Sequence, residues 1–492
     1  MSDPSLWLLV PILVTGISPV LIYAFRSRIN VREGVSFTAA GLTFASVLVL
    51  APAVLKGNTP VLTVFTILPG ITVTFGADGL GMIFALVASF LWILATAYNV
   101  GYMRSLNEHA QTRYYFCFAV AIFGAVGVAL SANVFTLYLF YEVITVFTYP
   151  LVAHHQDAEA YHGARKYMVY LMGTSKLFLL PAMVLTYVLA GTLDFRMGDI
   201  TAGIFPKTAD PLLVKITFVL YAAGLAKAAI MPFHNWLPSA MVAPTPVSAL
   251  LHAVAVVKAG VFSICRVFLS GFGLETMGAL GLGDMVAVFA AATIVLASVI
   301  AMTKDDLKAR LAYSTVSQLS YVVLGVTMLA PQAVTGGIAH IAHHAFSKIT
   351  LFFTAGAIYV ATHQKKISLM GGFGRKMPWT FGAFAVASLS MIGVPPVCGF
   401  VSKWYMVNGA VSYGHWALLI ALLSSTILNA AYFGPVVYRA FFVAPSPEVD
   451  FDHYREAPLT MVVPLCLTAA ISVLLGLYPD TFFQFIHSLK GL

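Results

Sequence analysis

Uninterrupted apolar runs of about twenty residues recur along this chain, and they limit its fold more than any other feature. A run of that length crosses the hydrocarbon core of a bilayer as an α-helix. The helix pairs its own backbone N–H and C=O groups where no water can do so. The sequence holds about fourteen such runs: 6–25, 34–55, 79–102, 113–131, 132–152, 165–190, 212–236, 245–270, 283–303, 305–329, 333–361, 380–410, 416–441 and 458–484. Only 9% of residues are charged and 60% are hydrophobic. In a typical soluble domain about 25% of all residues are charged. With a mean hydropathy of +0.89, the chain reads as an all-α polytopic membrane protein whose solvent is the bilayer. The first run, Leu6 to Ala24, has no basic n-region and no small-residue cleavage pattern, so it reads as a spanning helix rather than a leader.

The polar stretches between runs are short, and none is long enough for a soluble domain. Lys56–Asp78 is rich in Val, Thr and Ile and closed by Gly, as in a small β-hairpin. One alternating set of loops holds most of the basic residues, among them Arg26, Arg28, Arg32, Arg104, Arg113, Arg165, Lys166, Lys304, Lys308, Lys365, Lys366 and Arg439. By the positive-inside rule that set faces the cytoplasm. An even helix count then puts both termini on the outer, periplasmic side of the cell (inner) membrane. The net charge of +8 is explained by these loops. No basic run interleaves with exposed aromatics, which argues against nucleic-acid binding. Cys117, Cys265, Cys398 and Cys466 lie far apart. They lack the clustering of zinc, iron–sulfur or disulfide frameworks and read as packing residues.

An internal repeat is visible. Helix 6 carries Ser175-Lys176 before a Leu/Phe run, and helix 11 carries Ser347-Lys348 in the same setting. Helices 7 and 12 each hold a lysine near prolines: Lys227 with Pro232, and Lys403 with Pro395-Pro396. Offsets of 172 and 176 residues relate the two lysine pairs. Five helices per unit is an odd number, so the second unit is expected to be inverted, a plan that transporters use with broken helices. The expected organisation is 1–112 for helices 1–3, 113–270 for the first repeat (helices 4–8), 283–441 for the second (helices 9–13) and 458–492 for helix 14. Helices 7 and 12 are expected to be broken.

Charges inside these runs need a reason, since each costs at least about 2.5–3.5 kcal/mol at mid-bilayer. The candidates are Glu142, Lys176, Lys227, Lys258, Lys348 and Lys403. Five lysines against one glutamate cannot all be neutralised by pairing. Lysine can lose its proton when buried and arginine cannot, so the set points to proton relay. A Glu–Lys lock between helices is the plainer alternative. His340, His344 and Lys348 share one face of helix 11, with His343 beside them, and His252 sits on helix 8 between Pro246 and Lys258. Histidine hands protons on near neutral pH. No carboxylate or thiolate accompanies the helix 11 histidines, so no metal site is expected there, and no cofactor ligands or nucleotide loop are evident.

The segment Lys227-Ala228-Ala229-Ile230-Met231-Pro232-Phe233-His234-Asn235-Trp236-Leu237-Pro238 is followed by Ala243-Pro244-Thr245-Pro246-Val247-Ser248-Ala249-Leu250-Leu251-His252 and Val257-Lys258-Ala259-Gly260. This block resembles the antiporter-like subunits of complex I, Mrp antiporters and membrane-bound hydrogenases. The resemblance runs over nearly the whole chain, and length and pattern are most similar to the D-type member of the Mrp antiporters. It implies that Glu142 pairs with Lys227, that Lys258 and Lys403 match the lysines of helices 8 and 12, and that His340 and His344 line a second half-channel. It also implies other membrane subunits as partners, and protons as cargo, with Na+ as the candidate exchanged cation. Lysine at 403 fits the middle complex I paralogue poorly. The segment from Tyr141 to Pro150 keeps a hydrogenase-type, redox-driven complex open beside Mrp-type Na+/H+ antiport. A purely structural scaffold is the third reading, and the lysine series speaks against it.

Overall fold

The computed structural model describes residues 5–492. Eleven helices among the described residues are long and apolar enough to cross a membrane. Three further elements complete the fourteen expected. In chain order the spans are α1 (Leu6–Ala24), α2 (Ile29–Leu55), α3 (Gly79–Ser105), α4 (Gln111–Ala129), α5 (Val134–Val152) and α6 (Ala158–Ala190). Next comes α7, which begins as Pro211–Gly224, then α8 (Thr245–Leu280) and α9 (Leu282–Met302). The rest are α10 (Leu307–Thr327), α11 (Pro331–Thr362), the two-part α12 (Pro378–Ile392, Cys398–Ser412), α13 (Trp416–Phe442) and α14 (Leu459–Leu477). A short α15 (Asp480–His487) follows.

The helix starts are written locally. Asp78, Asn133, Asp157, Asp210 and Asp306 sit just before α3, α5, α6, α7 and α10, and each side chain accepts a first-turn N–H. The span α10 is long enough to cross but not apolar enough, because Ser314, Thr315, Ser317, Gln318 and Ser320 all point into the protein and are buried. The two expected breaks are present. The chain leaves α7 at Gly224, makes a single 3-10 turn at Ala226–Ala228 and turns back through Ala229 at φ +54°. Helix 7 is therefore not helical through 236 as the apolar run suggested; only Trp236–Ser239 resumes a turn. In α12 the break falls at Gly393, φ +92°. Conversely, α8 runs ten residues past its expected end, to Leu280.

Neighbour relations repeat between the halves. The first helix of each set of five packs on the second, α4 on α5 and α9 on α10, and the fifth returns to the first, α8 on α4 and α13 on α9. The long α11 also packs along α8 and α3, so it joins the halves. Lys56–Asp78 does form a hairpin, β1 (Val61–Leu68) against β2 (Ile71–Gly76), antiparallel. Asn133 Nδ2 donates to the Thr72 carbonyl at 2.9 Å and fixes the hairpin to the start of α5.

Beside the hairpin lies a buried ion pair that the sequence pattern did not reveal. Arg266 of α8 grips Asp78 with two hydrogen bonds, 2.5 and 2.7 Å, and both side chains are fully buried. Asp78 also accepts from Gly81 N at 2.9 Å and Gly198 N at 3.0 Å. Four hydrogen bonds thus converge on one carboxylate and tie three segments together. Removing one partner of such a pair leaves an uncompensated charge, at a cost of about 3–5 kcal/mol. We expect Asp78→Ala and Arg266→Ala each to lower the thermal stability of the detergent-solubilised protein markedly, with the double variant less affected than the sum. Additive losses in a melting experiment would show that the pair is not coupled.

Candidate functional site

The intramembrane charges and imidazoles singled out above follow one another in two contact groups, one around Glu142, Lys176 and Lys227 and a second running from Lys258 to Lys403. At the first end, Glu142 of α5 sits 3.7 Å from Lys176 of α6. Ser175 Oγ donates to Glu142 and Lys176 Nζ donates to the Tyr138 hydroxyl. A π-helical turn, Ser175–Leu179, carries Lys176 here. Widened turns of this kind recur at functional sites. This end is open: the Lys176 side chain is 47% exposed and that of Glu142 14%.

The expected Glu142–Lys227 ion pair is not formed, and the carboxylate is paired with Lys176. Lys227, fully buried, instead donates to the Tyr141 carbonyl at 2.8 Å and to Thr145 Oγ1 at 2.6 Å. Its Nζ lies 3.2 Å from the centre of the Tyr141 ring, a favourable cation–π arrangement. The 3-10 turn after Gly224 aims Lys227 this way, and Gly260 of α8 presses on that turn. A Cβ at Gly260 would come within 2.3 Å of the Lys227 and Ala228 backbone. Glycine is thus required for α8 to approach so closely.

The second group begins at Lys258. Lys258 Nζ and His344 Nδ1 are 2.6 Å apart, linking α8 to α11. The His344 and His340 rings follow at 5.9 Å. His340 bonds Ser402 Oγ at 2.8 Å and Gln318 Oε1 at 3.0 Å. Its ring lies 5.7 Å from that of Tyr321. Lys403 Nζ lies 4.7 Å from the centre of the same Tyr321 ring. Lys403 donates to the carbonyls of Met391 (2.6 Å) and Ile392 (3.2 Å), which the α12 break leaves without helical partners. Lys348 donates to Ser314 Oγ and lies 3.4 Å from the Leu311 carbonyl. His252, in a second π-helical turn at Leu250–Val254, packs against Phe352 with neither ring nitrogen hydrogen-bonded. His343 turns away from this series towards Phe483.

Sequence reasoning missed Tyr138, Tyr141, Thr145, Gln318, Ser402 and Tyr321, the neutral groups that hold the charges. One signal was available. Ser314, Gln318 and Tyr321 recur at helical spacing on α10 and face the α11 stripe.

A cavity of about 680 Å³ opens where α3, α6, α8, α10 and α11 come together. Its lining includes Glu108, His155, Asp157, Thr245, Asp306 and Lys308. Burial acts to raise the Glu108 carboxyl, but contact with His154 and the charges of His155 and His109 outweigh it and bring the carboxyl below its ordinary value.

A multi-pass membrane subunit with broken helices, carrying lysines and histidines in file through its interior, is the class these features define. A family profile described as NADH:quinone oxidoreductase/Mrp antiporter, TM, matches residues 131–429, more than half of the chain, and the chain belongs to this family. NADH-quinone oxidoreductase subunit N of Desulforudis audaxviator is 32% identical over 495 residues, covering 96% of each chain. Na(+)/H(+) antiporter subunit A1 of Staphylococcus aureus is 29% identical over 97% of this chain but only 61% of its own length. Two solved structures share the fold. The Mrp complex from Dietzia sp. DQ12-45-1b matches with a TM-score of 0.86 at 22% identity, over 99% of this chain and 97% of that one. The membrane-bound sulfane sulfur reductase, an archaeal respiratory membrane complex, matches with 0.85 at 23%, over 99% and 96%.

The changed pairing of Glu142 is directly measurable. In difference infrared spectra of the purified protein, Lys176→Ala should move the Glu142 carboxyl band, and Lys227→Ala should move it less. The reverse order would restore the Glu142–Lys227 pair.

Proposed function

We propose that this chain translocates protons within a multi-subunit membrane complex, along the series Glu142, Lys176, Lys227, Lys258, His344, His340 and Lys403. Lys348 and His252 flank it as branch or access points. The 2.6 Å Lys258–His344 contact carries the reading. It joins two titratable groups across the boundary between the halves, with no carboxylate in the contact to fix either one as a permanent ion. His252, the Nε2 of His344, Ser248 and Ser263 are buried polar groups with unused hydrogen-bonding capacity. Such groups call for partners, and hydration of this region would supply them.

Mrp-type Na+/H+ antiport is the first reading of the drive. A redox-driven complex is the second. It is favoured by the match to an NADH-quinone oxidoreductase subunit over 96% of both chains. Mass spectrometry of the co-purified complex separates them, since iron–sulfur or nickel proteins fit only the second. Other membrane subunits are also supported by the open Glu142–Lys176 end. A half-exposed ammonium near the middle of two spanning helices is unfavourable against lipid, so a neighbouring subunit would cover it. The basic loops favour cytoplasmic α3–α4 and α5–α6 connections, with both termini outside, in the cell (inner) membrane.

His343 supplies an internal control for the relay. A positioned proton-transfer group contributes on the order of 100- to 10,000-fold in rate. We expect His344→Ala to reduce proton transport in inverted vesicles by at least tenfold, with the complex still assembled. His343→Ala, one residue away and outside the series, should retain most of it. Equal losses in the two variants would remove His344 from the path.

A further inference from the structure

The best-formed group of potential ligands outside this series lies at the rim of the cavity. The loop between α3 and α4 turns through Asn107 and Ala110, both at φ +49°. This brings Glu108 and His109 beneath the end of α5, where a second turn through Gln156, φ +59°, presents His154 and His155. Glu108 Oε2 then lies 3.5 Å from His154 Nε2, 3.9 Å from His109 Nδ1 and 4.0 Å from His155 Nδ1. The ligand atoms of Glu108, His109 and His154 are all within 4.8 Å of one another.

His154 is the second observation. It is fully buried, yet neither ring nitrogen makes a hydrogen bond. Tyr114 packs edge-on against it at 5.9 Å and Arg113 Nη2 donates to its carbonyl at 2.9 Å. The ring is thus held firmly, with Nδ1 unpartnered and Nε2 facing the Glu108 carboxylate at 3.5 Å, too long for a well-formed hydrogen bond. A buried imidazole ordinarily makes at least one such bond.

We propose that Glu108, His109, His154 and His155 form a binding site for a divalent transition-metal ion of the zinc class. Three imidazoles and one carboxylate suit such an ion, whereas Mg²⁺ and Ca²⁺ prefer oxygen-only sets. Around Zn²⁺ with bonds of about 2.0–2.1 Å, tetrahedral ligand atoms stand roughly 3.4 Å apart. Glu108, His109 and His154 keep their ligand atoms within 4.8 Å of one another, and His155 Nδ1 stands 4.0 Å from Glu108, so the site must contract to bind. His109 and His155 are 48% and 36% exposed at their side chains and free to close in, while His154 stays fixed. The opposing charges nearby are few. Arg113 contacts the His154 backbone, and Lys308 lies across the cavity with its Nζ donating to the Ala243 carbonyl at 2.6 Å.

The position gives the site a consequence. Glu108 and His155 line the cavity together with Thr245, where α8 begins on its way to His252 and Lys258. A metal bound here would fix the rim and hinder passage from this side. That consequence rests on the proposed proton path; the binding does not.

The test uses the purified complex, prepared without a polyhistidine tag and titrated calorimetrically with ZnCl₂, with MgCl₂ as comparison. Wild type should bind one Zn²⁺ per copy of this chain that the variant His109→Ala/His155→Ala loses or binds at least tenfold more weakly, with Mg²⁺ ineffective. Both substituted side chains are partly exposed, so folding is retained more readily than in His154→Ala. Glu108→Gln should weaken binding similarly. Undiminished Zn²⁺ binding in both variants, or none in wild type, overturns the site. Transport with and without Zn²⁺, each variant compared with its own metal-free rate, reads the consequence separately. Binding that never slows transport leaves the site standing and removes the cavity as an access route.

Discussion

Burying an ammonium ion is the constraint on which this structure turns. Each intramembrane lysine must find acceptors, and the fold supplies them mostly from uncharged groups, with an imidazole nitrogen of His344 for Lys258. Lys227 takes a carbonyl and a hydroxyl on α5, Lys348 a hydroxyl and a nearby carbonyl on α10, and Lys403 two carbonyls at the α12 break. Only the more exposed Lys176 is given a carboxylate. A neutral acceptor stabilises the charged form less than a carboxylate does. On the proposed path, the same arrangement that makes burial tolerable would leave the proton exchangeable. Broken helices serve this end, because a carbonyl released from the helical ladder at membrane depth needs a donor, and a lysine is one.

The repeat shows which part of this plan is held constant. At an offset of 172 residues, Glu142 and Lys176 fall on Ser314 and Lys348. Both pairs are in contact, with a hydroxyl in the second half where the first has a carboxylate. The breaks follow a different offset. Ala229 and Gly393, the left-handed residues, are 164 apart, as are Pro232 and Pro396. On that register Lys227 corresponds to Met391 rather than to Lys403. Lys403 stands ten residues past its break and reaches back to the Met391 carbonyl. The second half thus brings an ammonium, from another point on the chain, to the residue that matches Lys227 in register. Gly393 makes room for it, since a Cβ there would meet Lys403 Cδ at 2.8 Å.

Much of this was legible in one dimension. The apolar runs, the hairpin, the two proline breaks and every charged member of the series stood out because each violates or obeys a local rule. Partner choice did not. Glu142 has lysines on both α6 and α7 to choose from, and the π-helical turn at Ser175–Leu179 brings the nearer one into contact. A π turn leaves no compositional mark. Lys227 and Lys403 looked equivalent because residue type and proline proximity were visible, while the side of the break on which each lies was not weighted. Asp78 and Arg266 are 188 residues apart and each looked like a boundary residue. Glu108-His109 and His154-His155 are ordinary as separate dipeptides, and only the return of α4 and α5 to the same side of the membrane joins them.

The exposure pattern carries the last step. Along the series, burial is complete at Lys227, Lys258, His344 and His340, and the Lys403 end is nearly closed. The Glu142–Lys176 end alone lies open at the level of the hydrocarbon core. Lipid cannot solvate an ammonium there, whereas a second protein surface offering acceptors can. The member of the series least suited to lipid is therefore also its outer end. In the proposed assembly, docking of a neighbour both covers that charge and sets the environment of the one carboxylate in the series. A change in the neighbour's own charge at this contact would alter the balance between Glu142 and Lys176 first. The effect would reach Lys227 through Tyr141 and Thr145, which lie on the same helix as Glu142.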